Sequence, residues 1–220
     1  MDGLLLKILP LALGAAISPM LLTVQIFILA GKRSPVLRSW AYTCGALLSL
    51  IAVTFIGASL FTFLHRHTGP NDVGGVIKTV AALLLLLLAV RAWRNKGGSA
   101  RALQRRLDRA PTWEFLIVGV LAMILNFSSI VLFLPAVHEI SHASVDPANK
   151  LTAYAVLVGI TLLPALAPAL LATLLGPKSD TILGKLNAFV TAHGNQINAA
   201  ICLFFTVYLA IGAYKDFTGS

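Results

Sequence analysis

Residues 4–30 read LLLKILPLALGAAISPMLLTVQIFILA, an apolar run long enough to cross a bilayer, with a single charge, Lys7, near its start and Ser18-Pro19 in its middle. A transmembrane helix needs about 20 consecutive apolar residues, whereas a signal-peptide core needs roughly 7–15 and ends at a small-residue cleavage site. This run has a weak cationic start, continues past that length and offers no convincing cleavage site, so it is read as a retained helix. Five further runs follow, over residues 40–64, 76–90, 113–137, 151–175 and 197–214. The third is the shortest and spans only if Lys78 snorkels to the interface.

Composition agrees with a chain built from such runs. Of 220 residues, 58% are hydrophobic and 11% charged, with a mean hydropathy of +0.87. Six spans of about 20 residues use over half the chain and leave short loops, so one membrane domain covering residues 1–220 is expected. The net charge of +9 does not argue for nucleic acid, because the 17 Lys and Arg sit at the ends of apolar runs. Cys44 and Cys202 each lie inside an apolar run and are expected in the core, with no disulfide framework and no CxxC motif.

The basic residues alternate between sides. Loops one, three and five hold twelve of the 17, including Lys32, Arg33 and Arg38 in the first, and Lys178 and Lys185 in the fifth. The opposite side holds Lys7, Arg66, Lys78, Lys150 and Lys215. The positive-inside rule then predicts loops one, three and five in the cytoplasm and both termini outside. In the central loop, Leu103 and Leu107 fall one helical turn apart among Arg101, Arg105, Arg106 and Arg109. Two readings fit: a short amphipathic helix binding anionic headgroups, or a solvated loop that fixes topology.

That loop divides the chain into halves that resemble each other, a first repeat over 4–94, a linker over 95–112 and a second repeat over 113–215. Ala89-Val90-Arg91-Ala92-Trp93-Arg94 parallels Ala210-Ile211-Gly212-Ala213-Tyr214-Lys215, Ala41-Tyr42 parallels Ala153-Tyr154, and Ser18-Pro19 parallels Asn126-Phe127-Ser128-Ser129 as a mid-run polar interruption. Three spans is an odd number, so the second unit enters the membrane inverted. The expected fold is therefore an all-α integral membrane protein of six transmembrane helices arranged as two inverted three-helix repeats.

In hydrocarbon an unpaired backbone group costs several kcal/mol, so helix breaks at mid-depth persist only where protein or water receives the freed groups. Ser18 and Pro19, Asn126 with Ser128 and Ser129, and Pro164 and Pro168 are the candidate breaks, and with Gln25 they form the expected substrate path. Gln25 and Asn126 are expected to face the bundle interior, either on that path or as interhelical hydrogen-bonding groups. Prolines that merely kink a helix are the alternative for Pro164 and Pro168. Thr43, Ser49, Thr54 and Thr161 say less, because their hydroxyls can bond back to their own helix.

All eight carboxylates fall in loops or at helix ends, which argues against a path for bare divalent cations. His65 and His67 are placed in one external loop, and His138 and His142 in the other; the latter pair stands four apart around Glu139 but has no third ligand at a fixed spacing, so no metal site is assigned. No Gly-x-Ser-x-Gly elbow, no P-loop and no Cys near a His is present, so no catalytic residues, no cofactor and no enzymatic activity are expected.

With these residues in view, the chain resembles the Sap (sulfolipid-addressing) and GAP (glycopeptidolipid-addressing) proteins of the LysE transporter superfamily. The resemblance rests on the stretch from Leu11 to Pro19, on Lys32-Arg33-Ser34-Pro35, on Gly119 to Ser129, and on His193-Gly194-Asn195-Gln196-Ile197. Members usually carry Asn-Pro-Lys-Asn in the fourth span, where this chain has Asn126-Phe127-Ser128-Ser129 and keeps only the first Asn. The resemblance implies a LysE-like inverted repeat in a bacterial cytoplasmic membrane, exporting an amphipathic or lipid-linked molecule. Membrane lipids and such a substrate are the expected partners, a homodimer is possible on small residues such as Gly57 and Ala58, and nucleic acid is not expected. A non-transporting scaffold for envelope-lipid enzymes and an intramembrane enzyme using the external histidines are the alternatives.

Overall fold

The computed structural model describes residues 2–31, 33–65, 70–94, 110–176 and 179–218, and every extended element among them is an α-helix. In chain order these are α1 (Asp2–Ala16), α2 (Pro19–Leu29), α3 (Pro35–His65), α4 (Pro70–Arg94), α5 (Glu114–Ile124), α6 (Phe127–His142), α7 (Pro147–Leu175) and α8 (Ser179–Thr218). Arg101, Arg105, Arg106 and Arg109 lie outside the described residues, so the two readings of the central loop stay as they were.

Among the described residues, three helical stretches are long and apolar enough to cross a membrane alone: Pro35–Phe63, Pro147–Leu175 and Gln196–Tyr214. Two bent pairs raise the number to five, α1 with α2 at 51° and α5 with α6 at 71°. The stretch expected as the third span is helical within α4; among the described residues its apolar part runs over Val76–Leu87, shorter than a bilayer-crossing helix requires. The chain is thus a multi-pass membrane protein by length and apolarity, with three to five candidate spans among the described residues.

Its surface agrees. Leu174, Phe55 and Leu6 are 80, 75 and 72% exposed, an arrangement that suits lipid as solvent and would aggregate in water. Cys44 belongs to this outer face and not to the core, while Cys202 is buried. Inside, Ile8, Leu11, Ala12 and Ala15 of α1 are buried with Leu132, Phe133, Ala136 and Ile140 of α6, and the two helices pack together. The helices α4 and α8 lie along each other, with Ala81, Ala82 and Leu85 buried on one side and Cys202, Phe205, Leu209 and Ala213 on the other.

Without a hydrophobic drive between helices in lipid, close backbone approach does much of the holding. The helices α3 and α5 show this directly. A Cβ on Gly45 would overlap the Leu116 carbonyl, and one on Gly119 would overlap the Tyr42 carbonyl. Arg38, counted by sequence as a loop charge, is 2% exposed: its Nη2 donates to the Ala110 carbonyl at 2.6 Å, and its guanidinium lies 4.9 Å over the Phe115 ring.

Candidate functional site

Pro19 has no N–H and so leaves unmade the intrahelical bond to the carbonyl of Ala15, four residues back. In a bilayer that carbonyl needs a donor. The structure supplies it from the other half of the chain: Ser129 Oγ donates to the Ala15 carbonyl at 2.6 Å. Ser18 N-caps α2, its Oγ accepting from the Leu21 N–H at 3.3 Å, and the same Oγ receives Asn126 Nδ2 at 2.8 Å.

Asn126 occupies the matching break between α5 and α6 and is the N-cap residue of α6, with ψ at 68° where a helix needs a negative value. Its own N–H bonds to the Met123 carbonyl and its carbonyl accepts from Ser129 and Ile130. Its amide faces across the chain: Nδ2 reaches Ser129 Oγ at 2.6 Å as well as Ser18, and Oδ1 accepts from Ser128 Oγ at 3.1 Å. Ser18, Asn126 and Ser129 are all buried. The ends of α2 and α6 that meet here are N-termini, which carry partial positive charge, and no ionised side chain among the described residues hydrogen-bonds to Ser18, Asn126 or Ser129. Gly194 of α8 lies against the Pro19 ring, so that a Cβ there would come within 3.2 Å of Pro19 Cβ.

Gln25 forms a second cluster. Fully buried on α2, it places Nε2 at 2.7 Å from Ser39 Oγ and 2.7 Å from the Ala165 carbonyl, with Thr43 Oγ1 at 3.2 Å. Thr43 Oγ1 itself donates within its helix to Ser39 at 2.9 Å and reaches Ala165 at 3.3 Å. Gln25 Oε1 has no donor among the described residues. Tyr42, next to Thr43 on α3, donates from its hydroxyl to the Leu21 carbonyl at 3.3 Å.

Pro164 and Pro168 do not break their span. Both lie inside the continuous α7, and they flank the turn whose Ala165 carbonyl faces Gln25. Lacking an N–H, Pro164 and Pro168 leave the carbonyls of Ile160 and Pro164 without their helical donors, whereas the side chains of α2 and α3 bond to the carbonyl of Ala165, between the two prolines.

The histidines are also placed differently from the sequence expectation. His138 and His142 belong to α6 and not to a loop; His138 is buried, its ring centroid 4.3 Å from that of His142 and 5.3 Å from Phe61 in an edge-on contact. Between them, Glu139 pairs with Lys78 of α4 at 2.8 Å, both side chains mostly buried. Sequence reading treated these two charges as separate interfacial groups. Among the described residues no three His, Cys, Asp or Glu side chains gather as metal ligands.

Comparison with known proteins returns one family: the model described as "Sap, sulfolipid-1-addressing protein" matches residues 8–214, and the chain belongs to that family. No curated protein and no solved structure matches it.

Proposed function

We propose that this Sap-family chain exports an amphipathic, lipid-linked solute across the cytoplasmic membrane, and that it does so as a carrier and not as an enzyme. The observation that carries this reading is the junction itself: two broken spans meet through Asn126, Ser18 and Ser129, all buried and uncharged. Irregular backbone at membrane depth is tolerated where it is enclosed by protein or lines a cavity, and paired half-helices are a recurrent way to build a transport site. The positive ends of α2 and α6 suit an anionic group, and Gln25 Oε1 offers an acceptor to a hydroxylated one. The family's name, addressing a sulfolipid, fits a cargo with both features.

The reading includes six crossings in two inverted repeats, α1–α4 and α5–α8, with α4 as the short third crossing. Packing supports it. Exchanging the halves maps α2 against α7 and α8 onto α6 against α3 and α4, maps α3 against α5 onto α7 against α1, and leaves the α4 and α8 pair unchanged; all of these contacts occur. Loops one, three and five face the cytoplasm in this arrangement, as the basic residues require.

Proteoliposomes test it. Outward movement of a fluorescent sulfated glycolipid, followed by accessibility to an impermeant quencher, is expected to exceed that in empty vesicles and to fall in Ser128→Ala and Asn126→Leu, with a zwitterionic phospholipid moving at background. Correctly folded wild-type protein that leaves all probes at the empty-vesicle rate would refute export.

A further inference from the structure

The helices α3 and α7 are tied along one part of their length only. Trp40 Nε1 donates to Thr173 Oγ1 at 3.0 Å, and Thr43 Oγ1 lies 3.3 Å from the Ala165 carbonyl. Beyond those bonds their facing sides line a groove of about 910 Å³, from Leu47 and Leu162 at one end to Phe63 and Leu151 at the other. The volume is that of a site for a substantial ligand, typically about 300–1,000 Å³. Residues 47–63 of α3 extend ~24 Å at the helical rise, most of the ~30 Å hydrocarbon thickness. Two wall hydroxyls are already committed, Thr54 to the Leu50 carbonyl and Thr62 to that of Ala58, both at 2.8 Å. At Gly159 the floor is open, with nothing within 4 Å of where a Cβ would stand.

The ends differ. At Leu47 and Leu162 the lining is aliphatic. At the other end the lining Tyr154 shares a 2.8 Å hydrogen bond with Ser141 Oγ, and Lys150, next to the lining Leu151, donates from Nζ to the Ser141 carbonyl at 2.8 Å. An ammonium has three donors, so Lys150 keeps two for a ligand. Among the described side chains, two acidic groups belong to the segments that meet here: Glu139, which is paired with Lys78, and Asp146, which is exposed at the start of α7.

A groove that is apolar along its length and cationic at one end has the polarity of a single lipid molecule. We propose that it seats one acyl chain of an anionic lipid drawn from the surrounding bilayer, the chain lying between α3 and α7 over Gly159 and a headgroup oxygen held by Lys150. A second copy of the chain would fill the apolar length but gives no reason for the charged end. The inference rests on the reading of this chain as a lipid-handling membrane protein, and it requires no transport.

The test uses the full-length protein in vesicles of phosphatidylglycerol or of phosphatidylcholine, each doped with a diazirine-acyl analogue of the same headgroup. After irradiation and digestion, adducts are expected to concentrate on residues 47–63 and 151–162, with phosphatidylglycerol about fivefold ahead, the effect of one Lys at an anionic surface. Gly159→Phe, which enters open space, should remove those adducts while leaving labelling of the outer face of α8 unchanged; Lys150→Gln should abolish the headgroup preference and keep the adducts. Labelling spread evenly over all lipid-facing helices, or unchanged by Gly159→Phe, would overturn the proposal. So would a wild-type dimer, seen by light scattering, that Gly159→Phe dissociates without prior labelling of the groove. An Asn126→Leu protein that no longer moves lipid yet labels normally would separate failure of export from failure of this site.

Discussion

Replacing Asn126 by Leu keeps the branching of the side chain, with a larger volume, and removes three hydrogen bonds, to Ser18 at 2.8 Å, to Ser129 at 2.6 Å and from Ser128 at 3.1 Å. Interhelical hydrogen bonds within a bilayer are worth on average about 0.6 kcal/mol each and about 1.7 at most, which brackets the loss between roughly 2 and 5 kcal/mol. The lower half of that range is expected, because neither buried serine is orphaned. Ser18 Oγ still accepts from Leu21 N–H and Ser129 Oγ still donates to Ala15, while Ser128, the one left without its acceptor, is only half-buried. A cycle with Ser18→Ala isolates the bond that joins the two halves. The single Ser18 change costs about 1 kcal/mol as a lost N-cap, and the coupling in the double variant should be near 0.6 kcal/mol and below about 1.7. Equilibrium unfolding of the four proteins in bicelles supplies every term. A loss of under about 0.5 kcal/mol for Asn126→Leu, or zero coupling, would mean that the amide does not hold the broken spans together.

The same unfolding assay separates crowded from open glycines: Gly45→Ala and Gly119→Ala, each meeting a backbone carbonyl, should lose about 1–3 kcal/mol. Gly159→Ala, in open space on the same kind of helix, should gain about 0.5–1 kcal/mol, and similar signs for all three would contradict the packing described. Gln25→Leu removes the contacts to Ser39, Thr43 and Ala165 and is expected to cost about 1–2 kcal/mol, with loss of the protection from hydrogen exchange around Ala165. Lys78→Met and Glu139→Gln should each destabilise by about 1–3 kcal/mol, and the exchange Lys78→Glu with Glu139→Lys should recover most of it; no recovery would show that the 2.8 Å pair does not couple α4 to α6.

Part of this architecture was legible in the chain and part was not, for identifiable reasons. The breaks at Ser18-Pro19 and Asn126 were visible because a missing N–H and a primary amide are conspicuous in an apolar run, where each demands a partner. Pro164 and Pro168 carry the same local signal, yet α7 continues through them. No local rule distinguishes those outcomes. Thr43 was passed over as a residue that bonds to its own helix; it does so and also reaches across to Ala165. Cys44 was assigned to the core because, in lipid, an apolar residue is equally at home facing in or out. The Lys78 and Glu139 pair escaped notice because its members lie in different halves, and the pairing of distant charges is a property of packing alone.

The bond between Asn126 and Ser18 joins residues 108 positions apart. At about 5–20 residues per second of synthesis, the first broken span waits roughly 5–20 s for its partner to exist, far longer than a helix takes to form. During that interval the Ala15 carbonyl has no Ser129 to receive it, and Ser18 has only the Leu21 N–H. The nascent first half is therefore an incomplete object in the bilayer, held by the insertion machinery or by water until the second half arrives. Synthesis of residues 126–129 is then the earliest moment at which the first break can meet its partners.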